Sequence, residues 1–131
     1  MPRDELAAFD EGLLAEVGGT DSERLATLAR EHQAGVRALP GVDEIVYEWR
    51  RTFPGEPLLY RSTGLYVLAL PGRVWVEFLE EMELVESEAS ALRELHRRQA
   101  RRLLAAADGA PEPPPATEAL GADGAMVLTR P

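Results

Sequence analysis

The chain has 131 residues, 45% of them hydrophobic, with a mean hydropathy of −0.21, which fits one globular core and excludes disorder throughout. Its 23 acidic and 14 basic residues give a net charge of −9, and the absence of cysteine excludes a disulfide framework, a thiolate nucleophile and any cysteine-ligated metal centre. No apolar run approaches a membrane span, and the acidic start Met1-Pro2-Arg3-Asp4-Glu5 has no apolar leader core, so a cytoplasmic location and no membrane partner are expected.

Residues 4–17 read as a first helix, because Leu6, Phe9, Leu13, Leu14 and Val17 recur at steps of three and four. Gly18-Gly19 ends it. Asp21 or Ser22 then caps a second helix that runs to about residue 39, with Leu25, Leu28, Ala29, His32, Val36 and Leu39 as its apolar stripe and Pro40-Gly41 as its stop. Residues 42–53 fit either period. As a strand, Ile45, Tyr47, Trp49 and Phe53 share a face that Arg51 interrupts. As a helix, Val42, Ile45, Val46, Trp49 and Phe53 share one, with Asp43 and Glu44 in the first turn and Arg50 and Arg51 in the last, where each charge suits the helix dipole. The helix is the expectation.

Two β-prone runs, 57–61 and 65–70, flank Ser62-Thr63-Gly64 and read as a β-hairpin. Val74-Trp75-Val76 would suit a third strand, but Val74, Phe78 and Met82 are four apart and strong helix formers fill 77–84, so a helix over 73–84 is preferred. A last helix spans 88–106, with Ser87 as N-cap and Leu92, Leu95, Gln99 and Leu103 along one face; the two helices also read as one, bent near Glu86. Residues 1–106 are thus expected to form the globular domain. Residues 107–131, with Pro111-Glu112-Pro113-Pro114-Pro115 and a net charge of −3, read as an acidic Pro/Gly/Ala-rich tail, extended or disordered. Within it Ala125-Met126-Val127-Leu128 is an apolar island suited to joining a sheet edge of this or another chain. The fold class is α+β, mostly helical: three N-terminal helices, a β-hairpin and one or two C-terminal helices.

That order resembles the winged helix-turn-helix superfamily. The residues that carry the likeness lie in 58–82: Leu58-Leu59-Tyr60-Arg61, then Leu65-Tyr66-Val67-Leu68-Ala69-Leu70-Pro71-Gly72-Arg73, look like a wing and the entry to its following helix. The resemblance implies that 43–53 is a recognition helix, with Arg50, Arg51, Arg61 and Arg73 as candidate phosphate contacts. Charge opposes that use. Nucleic-acid affinity rests on neutralising phosphates, whereas this chain is −9 and carries Asp43, Glu44 and Glu48 on the same helix.

Charge is also segregated further along. Residues 77–88 hold six glutamates and no base, and residues 93–102 hold five arginines and one acid. The plain reading is a solvated helix face with i,i+4 pairs such as Glu94 with Arg98. The sharper one is an antiparallel homodimer that sets acidic half against basic half, with Met82, Val85, Leu92 and Leu95 at its centre and Arg97, Arg98, Arg101 and Arg102 on its rim.

Catalytic patterns are weak. The chain has no Gly-rich phosphate loop, no G-x-S-x-G elbow and no H-E-x-x-H pair. His32 lies on an apolar stripe and His96 beside Leu95, so both read as packed histidines, and Glu77, Glu80 and Glu81 are adjacent by density alone. Tyr47, Trp49, Tyr66 and Trp75 read as core aromatics. The expectation is a non-catalytic interaction or regulatory module with no cofactor and no metal, whose partner is another protein or a second copy; a DNA-binding regulator and a small enzyme are the alternatives.

Overall fold

Five helices and a three-stranded antiparallel sheet make up the computed structural model, which describes residues 4–38, 41–53, 57–106 and 124–130. In chain order they are α1 (Glu11–Glu16), α2 (Ser22–Ala38), α3 (Val42–Thr52), β1 (Leu58–Arg61), β2 (Leu65–Ala69), α4 (Gly72–Met82), α5 (Glu86–Ala106) and β3 (Ala125–Thr129). The α+β class, the hairpin and the helical form of 42–53 and 73–84 are as read from the sequence. Asp21 is the cap of α2: its Oδ1 accepts the Arg24 N–H at 2.7 Å.

The first helix is shorter than its apolar spacing implies. Asp4 Oδ1 takes the Leu6 N–H at 2.8 Å, Thr129 Oγ1 the Ala8 N–H at 3.3 Å and Gln99 Oε1 the Asp10 N–H at 2.7 Å. Donors that a helix would use are thus drawn off by side chains, so residues 4–9 form turns and α1 starts at Glu11. The last two helices are separate. Glu83 closes α4 in the left-handed conformation (φ 56°, ψ 43°), its N–H turned back to the Glu80 and Leu79 carbonyls, and α5 begins at Glu86, so Ser87 lies inside the helix rather than capping it.

The sheet order is β1-β2-β3. Tyr60 pairs with Val67 and Arg61 with Tyr66, and Leu59 is an extra residue in β1 that bulges the ladder. Across the other seam Tyr66 pairs with Leu128 and Leu68 with Met126. Residues 125–129, placed in the tail by composition, are therefore corrected to a strand inside the core; the stretch 107–123 lies outside the described residues. All five β3 residues are buried, and α5 lies against β3 and β2 with α2 and α1 packed on α5. Gly124 admits β3 to its place: a Cβ there would stand 2.6 Å from the Leu70 carbonyl oxygen.

Candidate functional site

Two arrangements of polar side chains stand out, one internal and one on the surface. The internal one surrounds β3. In an antiparallel ladder alternate residues turn their backbone groups away from the paired strand. The Leu70 N–H reaches Gly124 O and the Arg130 N–H reaches Gly64 O, so residues 125, 127 and 129 face the other way. No further strand meets them among the described residues; side chains from three helices do. Trp75 Nε1 on α4 donates to Ala125 O at 2.9 Å, and Gln33 Nε2 on α2 donates to Val127 O at 2.8 Å. The Val127 N–H donates to His96 Nδ1 on α5 at 2.9 Å, and the Thr129 N–H donates to Gln33 Oε1 at 2.8 Å. Four backbone groups on this buried strand edge are thereby satisfied by side chains, as low-dielectric burial demands.

The same cluster consumes both histidines. His32 stacks on Trp75 at 4.8 Å between ring centroids, and His96 stands edge-on to Trp75, Phe9 and His32 at 4.7, 4.9 and 5.0 Å. Burial drives the His32 imidazole down to about 3, and burial, with the neighbouring His32, holds His96 well below its ordinary value. Both are neutral near pH 7, and neither Nε2 has a hydrogen-bond partner. Sealed, uncharged and packed ring against ring, they are part of the core. Among the described residues no three His, Asp or Glu side chains converge as metal ligands.

The surface arrangement is a cleft of about 420 Å³ between α3 and the hairpin. Arg50, Arg51 and Tyr47 reach it from α3, Arg61 and Leu58 from β1, and Tyr66 from β2. Helical spacing brings Tyr47, Arg50 and Arg51 to the side of α3 away from the buried Val42, Val46 and Trp49. Tyr47 is 55% exposed with the Arg51 guanidinium 5.6 Å from its ring centre, so it is a surface residue and not the core aromatic its type suggested. Arg51 pairs with Glu48 at 3.1 Å. On the inner wall the Tyr66 hydroxyl donates to Asp43, while Arg130 lies over the Tyr66 ring at 4.8 Å and 3.4 Å from the Asp43 carboxylate. Burial raises the Tyr66 hydroxyl above its ordinary value, reinforced by that bond to Asp43, so it stays a donor.

Three of the four arginines singled out in the sequence thus meet in one cleft. Arg73 does not; it lies over the Phe53 ring at 5.2 Å. The expected dimer centre is corrected. Leu92 and Leu95 are wholly buried in the chain's own core, Met82 is half-buried against it, and Val85 alone of the four is exposed. Nor do the rim arginines form a uniform free face: Arg97 and Arg98 both bind Glu94, Arg102 binds Asp10 at 3.3 Å and Glu16 at 3.0 Å, and Arg101 is exposed. Burial disfavours the Glu94 charge, but the bonds from Arg98 and Arg97 outweigh it and hold the carboxyl below its usual value.

Gln33, Trp75 Nε1, Thr129 and the Tyr66–Asp43–Arg130 group were not legible as partners. One signal was present: Gln33 is an uncharged polar residue beside an apolar stripe, where a buried amide needs both its groups bonded.

The class so defined is an α+β domain whose three-stranded sheet is completed by its C-terminal strand and whose helix α3 and hairpin frame a cleft lined by arginine and tyrosine. The chain belongs to the family described as a domain of unknown function (DUF8048), whose model matches residues 9–130 and so takes in both α1 and β3. No curated protein and no solved structure matches the chain.

Proposed function

We propose that this chain is a non-catalytic interaction module that works by holding another protein, on a winged-helix-like scaffold in which α3 stands for the recognition helix and β1–β2 for the wing. The observation that supports it is how the reactive side chains are divided. Both histidines are committed to the core, whereas the α3–hairpin cleft presents arginine and tyrosine. Those residue types are enriched where protein interfaces carry their energy, and near neutral pH neither exchanges protons readily. The fold is held without a disulfide, which suits the cytoplasm. A second copy is among the proteins such a module could hold, but a seam through Leu92 and Leu95 is not open to it.

A second reading, duplex DNA, has one observation in its favour: Arg50, Arg51 and Arg61 lie between the helix and hairpin that a winged helix would bring to a phosphate backbone. It ranks lower because Asp43, Glu44 and Glu48 line the adjoining flank of Tyr47 and the chain as a whole is −9. Crosslinking of the tagged full-length chain in its own cells, then nuclease treatment and mass spectrometry, separates the two. The expected result is a protein joined at defined surface positions. Crosslinks that all disappear with nuclease would replace the first reading by the second.

A further inference from the structure

We infer that the groove between the N-terminal turns, α1 and the start of α2 is a second docking surface, and that it takes a basic amphipathic helix of a partner protein. Aliphatic side chains of that helix would lie on the groove's apolar lining, with lysine or arginine against Glu11 and Glu23. The groove encloses about 580 Å³ and is built from other elements than the α3–hairpin cleft, so it goes beyond that reading and does not depend on it. Residues 4–9 form turns instead of continuing the first helix, and the expected apolar stripe is divided. Phe9, Leu13 and Val17 are buried, whereas Leu6 and Leu14 stay half-buried and line the groove with Phe9.

On α2, Glu23, Ala26 and Arg30 recur at steps of three and four, so they share the helix face that borders the groove. The walls are set before binding. Thr129 Oγ1 donates to the Glu5 carbonyl at 2.8 Å and accepts the Ala8 N–H, Gln99 Oε1 accepts the Asp10 N–H, and Arg30 ties α2 to Asp4 at 2.9 Å. A preformed groove loses less freedom on association. It is bordered by helices and turns and by no strand edge, so an incoming segment must satisfy its own backbone hydrogen bonds, as a helix does.

Charge selects the occupant. Three carboxylates (Asp4, Glu11 and Glu23) line the groove against one guanidinium. That guanidinium, Arg30, is answered within the chain, by Asp4 at 2.9 Å and Glu5 at 3.6 Å. Glu11 and Glu23 make no ion pair among the described residues, so the lining is acidic with or without the Asp4–Arg30 pair. The −9 of the chain attracts cationic partners over a longer range. Its own stretch 107–123 carries Asp108, Glu112, Glu118 and Asp123 and no base, which is the wrong charge for this site. Residues 77–88 also hold six glutamates, so positive charge alone does not choose the groove; its apolar lining does.

The test is an NMR titration of the isotope-labelled full chain with three peptides of one helical pattern: leucine–lysine, leucine–glutamine and serine–lysine. The leucine–lysine peptide is expected to move the amides of Leu6, Leu14 and Ala26 and to bind at least about tenfold more tightly than either of the others. Glu11→Gln combined with Glu23→Gln, at two exposed positions, should leave the rest of the spectrum in place and weaken the leucine–lysine peptide at least about fivefold. Equal affinity for the leucine–lysine peptide and either counterpart, shifts confined to 77–88, or a double variant that binds as the parent does would each overturn the inference. So would the same groove shifts on concentrating the chain alone, which would give the groove to a second copy. Failure of the peptides leaves the α3–hairpin reading untouched, since cellular crosslinks score that one.

Discussion

Lowering the pH from 7 to 5 should destabilise this protein by about 2 kcal/mol through His32 alone, with His96 acting in the same direction. Folded His32 titrates only at about 3, because a fully buried imidazolium stacked on Trp75 would lose its hydration with no counter-charge nearby. In the unfolded chain the same ring takes its proton near pH 6.5. Between those values the unfolded state binds a proton that the folded state refuses, so the stability contributed by neutral burial is present above about pH 6.5 and is lost as the pH falls. One and a half units below 6.5, at 1.36 kcal/mol per unit, removes about 2 kcal/mol for His32. His96 is also held well below its ordinary value by burial and by the neighbouring His32, and its Nδ1 already accepts the Val127 N–H, so it adds to the loss in the same direction. Domains of this size are stable by about 5–15 kcal/mol, so a loss of this size is a sizeable part of the margin.

The assay is urea unfolding followed by tryptophan fluorescence at pH 7 and pH 5 in matched ionic strength, since buried Trp75 lies against both rings. His32→Phe keeps an aromatic ring and removes one titration, so it should cut the pH dependence by about 2 kcal/mol, whatever it does to absolute stability. Acidic groups do not imitate the effect: Glu94, whose folded carboxyl is held low, loses its contribution only as the pH falls below the ordinary glutamate range. A change under about 1 kcal/mol between pH 7 and pH 5, or an unaltered slope in His32→Phe, would refute the neutral, sealed histidine pair.

Two further outcomes follow from β3. Gln33→Leu leaves the Val127 carbonyl and the Thr129 N–H unsatisfied in the core and should cost about 2–4 kcal/mol, with the loss of hydrogen-exchange protection greatest at Thr129; a cost below about 1 kcal/mol would show that the amide is dispensable. Gly124→Ala drives a methyl to 2.6 Å from the Leu70 carbonyl and should lose about 1–3 kcal/mol, whereas Gly35→Ala, in an open position on α2, should gain about 0.5–1 kcal/mol; paired thermal melts with the opposite order would contradict both placements.

The helices and hairpin were legible because their signals are local. Val42, Val46 and Trp49 fall on one stripe of α3 and are buried as that stripe requires, and Ser62-Thr63-Gly64 interrupts two β-prone runs where the chain turns. What escaped depends on groups far apart in the chain. The first helix lost its N-terminal part to acceptors on Gln99 and Thr129, about 90 and 120 residues away, which apolar spacing does not register. β3 was legible as an apolar island suited to a sheet edge, but not as part of the core, because it sits in a segment whose composition is dominated by proline, alanine and acid. The three cleft arginines were visible as candidates, but their convergence with Tyr47, and the silencing of Asp43 by Arg130, belong to the tertiary structure alone.

That last contact joins the internal network to the surface cleft. Gln33, His96 and Trp75 seat β3, and the residue that follows the strand, Arg130, reaches both the hairpin turn and Asp43. The inner wall of the cleft therefore depends on β3 being in place. Withdrawing the strand takes one guanidinium from Asp43 and frees the hairpin turn at Ser62 from Arg130. Because protonation of His96 would set an N–H against the Val127 N–H, a group that makes the core sensitive to acid is also one that fixes the strand, and through Arg130 the strand reaches Asp43 and the hairpin turn at the cleft.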